Sequence, residues 1–229
     1  MAVPGVSIHT SRLRLPKVTV SELSRMMESP ELETAVRLVG GAPIDVLCFG
    51  GTSAAFLHGR AGDESLIRRI REWLPDVPAT TAARSVVEAL GELNTGAVAL
   101  ATPYRKEVNE RAIRYLSEHG HEVVNDVCLG ITDDHELAEV PLQAVFDLAC
   151  RADSPRAEAV FISCTNLRTV GVIAALEEEL RKPVVSAVSA SYWHCLTLVG
   201  AHGARGGYGR LLDAVADRLA PLPSTRAGA

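Results

Sequence analysis

Glu158-Ala-Val-Phe-Ile-Ser-Cys-Thr-Asn-Leu167 is the stretch that decides the architecture. Its apolar run reads as a strand buried on both faces of a parallel sheet, and the polar residues that follow mark the strand's C-terminal end. That end delivers a thiol, Cys164. The next segment, Arg168 to Lys182 (RTVGVIAALEEELRK), carries apolar residues at helical spacing, with Asn166 ahead of it as N-cap. The pattern predicts a helix over Thr169 to Arg181, placing Cys164 beside free backbone N–H groups at the positive end of a helix dipole. The first half of the chain repeats the arrangement. Ile44-Asp-Val-Leu-Cys-Phe-Gly50 is a second buried-strand run, and Gly51-Thr52-Ser53 takes the place of Cys164-Thr165-Asn166. Two such turns, one with a thiol and one with a glycine, imply a duplicated architecture with a single site between the halves.

Working outward, Val6 to Leu15 (VSIHTSRLRL) alternates as a strand does, and Thr19 to Gly40 reads as helix interrupted near Pro30. Helix Asp63 to Leu74, a short strand Val77 to Thr80 and helix Ala82 to Leu93 follow. The second half gives strand Ala97 to Ala101, helix Arg105 to Glu118, strand Glu122 to Leu129, helix Leu142 to Ala152, strand Ala159 to Ser163, strand Val184 to Ser186 and helix Ser191 to Val199. Regular β/α alternation is the pattern of parallel sheets covered by helices, with ligands at the strands' carboxyl ends. Thr52-Ser53, Thr80-Thr81, Tyr104, Cys164-Thr165-Asn166 and Ser186 all fall at such ends. A Gly-rich loop, Gly203 to Gly209, leads into a last helix, and Pro221 to Ala229 reads as a disordered tail.

Composition excludes several classes. With 229 residues, 47% hydrophobic, and a formal charge of −5, this is a globular chain without the basic stripe of a nucleic-acid binder. Arg68, Arg69 and Arg71 read as the solvated face of a helix. No apolar run approaches the roughly 20 residues that span a bilayer, and no signal-peptide pattern opens the chain, so a cytoplasmic protein is expected. The five cysteines, Cys48, Cys128, Cys150, Cys164 and Cys195, form no CxxC pair, which speaks against a zinc site or a disulfide framework. All but Cys164 read as small buried hydrophobes. Nucleotide, metalloprotease and serine-hydrolase motifs are missing at plausible places. What remains is a cofactor-free site of hydroxyls and backbone N–H groups around one thiol, suited to a small carboxylate. Such donors stabilise an enediolate when charge develops on the α-carbon, and a thiol can protonate that carbon.

Strand-Cys-Thr-Asn, the paired Gly-Thr-Ser turn, Thr102-Pro103-Tyr104 and the ending PVVS…W…L.LVG…GYGRLL resemble the aspartate/glutamate racemase superfamily, in its branch of arylmalonate decarboxylases and maleate cis-trans isomerases. The likeness runs from about Val6 to Asp213. It implies an α/β fold of two pseudo-symmetric, Rossmann-like parallel-sheet lobes with the site between them. The first lobe would be residues 1–95 and the second 96–190, carrying Cys164; helices in 191–220 would close back on the first lobe ahead of a tail, 221–229. In the racemases and maleate isomerases both turns carry a cysteine, whereas arylmalonate decarboxylases have Gly-Thr-Ser in the first, as here. The resemblance therefore implies a cofactor-independent decarboxylase of a malonate-like diacid, with Cys164 as proton donor and Gly51, Thr52, Ser53, Tyr104, Thr165 and Asn166 lining the substrate pocket. The alternatives are a maleate isomerase or a racemase, and a non-catalytic small-carboxylate binding protein. No nucleic acid or membrane partner is implied, and a homo-oligomer is compatible with the reading. Two positions depart from the decarboxylase pattern. Thr165 stands in place of a glycine, and the chain begins just after the strand and Pro-containing loop with which members of the family open, so that either the start lies upstream or the first lobe lacks a strand.

Overall fold

The computed structural model describes residues 5–201 and 207–216. After an irregular opening segment come α1 (Val20–Glu28), whose N-cap Thr19 accepts from the Glu22 N–H at 3.3 Å, and α2 (Glu31–Val39), the two separated at Pro30 as expected. Strand β1 (Leu47–Phe49) leads through Gly50-Gly51 into the single turn α3 (Thr52–Ala55) and then α4 (Gly59–Trp73). Strand β2 (Ala79–Thr81) ends on Thr81, which caps α5 (Ala82–Glu92). The second half runs β3 (Ala97–Thr102), α6 (Lys106–Glu118), β4 (Glu122–Cys128), α7 (Asp134–Glu139) and α8 (Leu142–Ala152). It continues with β5 (Ala159–Ile162), α9 (Ile173–Leu180), β6 (Val184–Ser186), α10 (Ala187–Leu198) and α11 (Arg210–Ala216).

All named strand pairings are parallel. β1 pairs with β2, and the other four strands form a sheet in the order β4-β3-β5-β6. The interior strands are the most apolar: Val98 to Thr102 of β3 and the whole of β5 are buried. Burial of side chains such as Leu100, Val160 and Phe161 contributes about 1.5–3 kcal/mol each. Because β3 and β5 are hydrogen-bonded neighbours running the same way, their carboxyl ends, carrying Tyr104 and Cys164, are held side by side. Helix α10 packs along α5 and reaches β1, so that this late helix lies against the first sheet.

Several expectations change. Val6 to Leu15 forms no strand: among the described residues it joins neither sheet, and Ile8 is 75% exposed, so its alternation buries no continuous face. The helix placed at Thr169 begins at Ile173, with Val172 as N-cap and no side-chain cap. Asn166 is therefore not the cap. Helix α10 starts at Ala187 rather than Ser191, because Ser186 and Ser189 form a reciprocal capping box that the sequence reading passed over. Short α7, capped by Asp133, was not anticipated. The tail expected disordered, 221–229, and most of the Gly-rich loop lie outside the described residues. Among the described residues no helix is long and apolar enough to cross a membrane.

Candidate active site

Cys164 sits two residues beyond β5 with φ of +91°, on the left-handed side that a non-glycine residue occupies at a cost of about 1–3 kcal/mol. Among the described residues two other non-glycine residues share a positive φ. Asn94 tolerates it intrinsically and Arg181 is the C-cap of α9, so Cys164 alone holds it within a strand-end turn. The conformation folds the turn back on the sulfur: the backbone N–H groups of Asn166 and Leu167 point at Cys164. These two amides, rather than the start of α9, give the thiol its polar contact, which corrects the helix-dipole expectation. The thiol is 6% exposed. Burial raises it above its ordinary ionisation range; the Asn166 amide, the Tyr104 hydroxyl and the Leu167 amide oppose the rise, and Asp134 adds to it.

Tyr104 is the hub around which the expected residues gather. It is 1% exposed, its ring meets Phe56 edge-on at 6.1 Å, and its hydroxyl accepts from Ser163 Oγ at 3.3 Å. The same hydroxyl contacts the Cys164 thiol and, from α3, Ser53. Burial, with Cys164 beside it, pushes Tyr104 well above the usual phenol range, so it stands as a neutral hydrogen-bonding group. Ser163 was missed by the sequence reading, although it precedes Cys164 in the stretch that decided the fold.

The first turn is held across from this cluster. Thr165 Oγ1 donates to the Gly50 carbonyl at 2.5 Å, tying the two strand-end turns together. Gly51 has no room for a side chain as it stands: a Cβ there would lie 2.8 Å from the Phe49 ring. Thr52 and Asn166 have other surroundings. Thr52 is buried beside an apolar crevice shared with Phe56, Val86 and Phe161, and its hydroxyl has no hydrogen-bond partner among the described residues. The Asn166 side chain donates to the Asp134 carbonyl at 2.7 Å and so anchors α7; only its backbone faces the sulfur. Cys48, in β1, turns away from this site toward Cys195, Ser191 and Ser85. The described residues contain no cluster of three or more histidine, cysteine or acidic side chains that could hold a metal.

A thiol raised by burial alkylates slowly. Iodoacetamide at neutral pH is expected to label Cys164 more slowly than Cys195, which is lowered by its contact with Cys48, with the Cys164 rate climbing only at alkaline pH. Peptide mapping by mass spectrometry checks this; fast labelling of Cys164 below about pH 6 would show a thiolate instead.

Two parallel-sheet lobes with a buried strand-end thiol facing a Gly-Thr-Ser turn define a racemase-like α/β protein. The chain belongs to the arylmalonate decarboxylase family: that family's profile, described as "Arylmalonate decarboxylase", matches residues 3–212. The chain is 34% identical to arylmalonate decarboxylase of Bordetella bronchiseptica over 92% of its own length and 88% of the relative's. A solved liganded structure of a glycine-to-cysteine, cysteine-to-serine double mutant of arylmalonate decarboxylase superposes with a TM-score of 0.83 at 32% identity, covering 87% of this chain and 85% of that one. Maleate isomerases are also similar. The Nocardia farcinica maleate cis-trans isomerase, solved as a cysteine-to-serine mutant with a covalently bound succinylcysteine intermediate, gives a TM-score of 0.87 at 25% identity over 92% of this chain and 88% of its own.

Proposed function

We propose that the protein is a cofactor-independent decarboxylase of a malonate-like diacid bearing an aryl or similar electron-accepting group on the α-carbon, with Cys164 as the proton donor. The observation that carries this reading is the single thiol at the site: Cys164 stands in the second turn, Gly51 in the first, and Cys48 points elsewhere. Breaking the bond to one carboxylate releases CO2 and leaves its electron pair on the α-carbon, delocalised into the remaining carboxylate as an enediolate. Ser53, with the Tyr104 hydroxyl behind it, is the donor set for that developing charge. The Cys164 thiol then passes its proton to the α-carbon. The thiolate left behind is met by the Asn166 and Leu167 amides and by Tyr104 until solvent returns a proton. Burial that keeps the thiol protonated in the resting state serves an acid, whereas a nucleophile or base needs the opposite.

The test is to supply an α-aryl-α-methylmalonate and maleate in separate reactions. CO2 release from the first, giving one product enantiomer that the enzyme does not racemise, is the expected result. Fumarate formed from maleate as the faster reaction would overturn the decarboxylase reading in favour of an isomerase. On the productive substrate, Ser53→Ala and Tyr104→Phe are each expected to lower kcat by about 10²–10³ with little change in KM, because their hydrogen bonds strengthen as charge develops. A rise in KM alone would mark both as ground-state binders.

A further inference from the structure

Two of the five thiols face one another away from the candidate active site. Cys48 lies at the centre of β1 and Cys195 lies on α10, two elements packed together, and the two sulfurs are in hydrogen-bonding contact. Both are free and partly buried. Buried Ser85 of α5 contacts the Cys48 sulfur, and its Oγ lies 3.2 Å from His194 Nδ1. Thr80, the register partner of Cys48 on β2, is also 3.2 Å from that nitrogen. Thr80 and His194 line a recess of about 400 Å³ whose wall includes Arg68, Arg71 and Arg84. The recess wall also carries Glu64 and Glu88 and holds neither sulfur; access of a small oxidant to the pair rests on the partial exposure of the two cysteines themselves. Contact with Cys48 lowers Cys195, while Cys48 itself is raised, so the two sulfurs are matched as attacking thiolate and resolving thiol. Cys128 and Cys150 have no such neighbour and are raised by burial.

We propose that Cys48 and Cys195 are a redox site, forming a reversible disulfide that staples α10 to β1 beneath the first turn of the candidate active site. With a hydroperoxide as oxidant, the Cys195 thiolate attacks one peroxide oxygen and the O–O bond breaks. For hydrogen peroxide, the departing hydroxide takes up a proton and leaves as water. Cys195 is now a sulfenic acid. The Cys48 sulfur displaces its hydroxyl, the S–S bond forms, and that hydroxyl leaves with the Cys48 proton as a second water. Two thiols and one peroxide become one disulfide and two waters. Because the link joins residues distant in sequence, it restricts the unfolded chain and raises the thermal midpoint.

The experiment treats the full-length protein with one equivalent of hydrogen peroxide, quenches, denatures and counts thiols, with peptide mapping under non-reducing conditions and a thermal scan of the treated sample. The count is expected to fall from the five of the sequence to three. The Cys48 and Cys195 peptides should run as one cross-linked species, the thermal midpoint should rise, and dithiothreitol should reverse all three changes. Cys48→Ser, a conservative exchange beside two serines, should form no cross-link and leave Cys195 oxidised singly. The proposal is overturned if the wild-type map shows these cysteines reduced or singly oxidised after treatment, or if the cross-linked protein melts at the same temperature as the reduced one.

Discussion

Replacing Cys164 by glycine is expected to give an inert protein that is almost as stable as the original. In the proposed mechanism the thiol is the acid at the reacting carbon, a role worth about 10³-fold or more in turnover, and neither Cys164→Ser nor Cys164→Gly should retain it. The two variants should differ in stability. Serine keeps a side chain at φ +91°, whereas glycine adopts that conformation without penalty, recovering about 1–3 kcal/mol. Against this stand the lost burial of a small side chain and the greater freedom of the unfolded chain, about 1 kcal/mol apiece. The opposing contributions nearly cancel. Urea unfolding should therefore place Cys164→Gly within about 1 kcal/mol of wild type, while Cys150→Gly, inside α8, should cost more than the roughly 1 kcal/mol of a glycine in a helix interior. Full turnover in Cys164→Ser would end the thiol mechanism. A glycine variant that unfolds far more easily would show that the backbone at this turn is not under strain.

The largest expected loss of stability comes from Asp63, away from the thiol. Its carboxylate is fully buried in α4, where it accepts from Thr81 Oγ1 at 2.5 Å, Arg84 Nε at 3.1 Å and the Tyr115 hydroxyl at 3.1 Å. Those partners belong to β2, α5 and α6, so one carboxylate joins elements that follow β1 with one that follows β3. Tyr115 is raised by burial first and by Asp63 next, and stays a neutral donor. Asp63→Ala leaves the part-buried Arg84 charge and two hydroxyls without their shared acceptor, and is expected to cost about 3–5 kcal/mol. Tyr115→Phe removes one donor while its ring keeps packing on Phe56, so about 1 kcal/mol is expected. Chemical denaturation of the two variants gives both values; an Asp63→Ala cost under about 1 kcal/mol would mean that solvent replaces the network.

Much of the fold was legible because its strongest signals are local. The apolar runs at Ala97 and Ala159 could only be interior parallel strands, and their ends pointed to Tyr104 and Cys164 before any contact was known. Pairing was not legible. Val6 to Leu15 has the alternation of a strand, yet alternation describes which side faces inward and says nothing of whether a neighbour exists. The turn after β5 misled for a related reason: Asn166 is a good cap by residue type, but the positive φ at Cys164 redirects the chain, so that α9 begins later and the Asn166 side chain is spent on Asp134. A cysteine at position 164 does not signal that conformation, since glycine or asparagine there would be its usual marker. Likewise the inward face of Thr52 depends on where Phe56 and Phe161 meet.

The hydrogen bond from Thr165 to the Gly50 carbonyl crosses from one strand-end turn to the other. Any motion that parts those turns must first break it, so a single hydroxyl acts as a latch between them. At about 1 kcal/mol for such a bond, the parted form is held down roughly fivefold. For the proposed substrate, entry and retention would then depend on a residue whose side chain is already committed to the opposite turn.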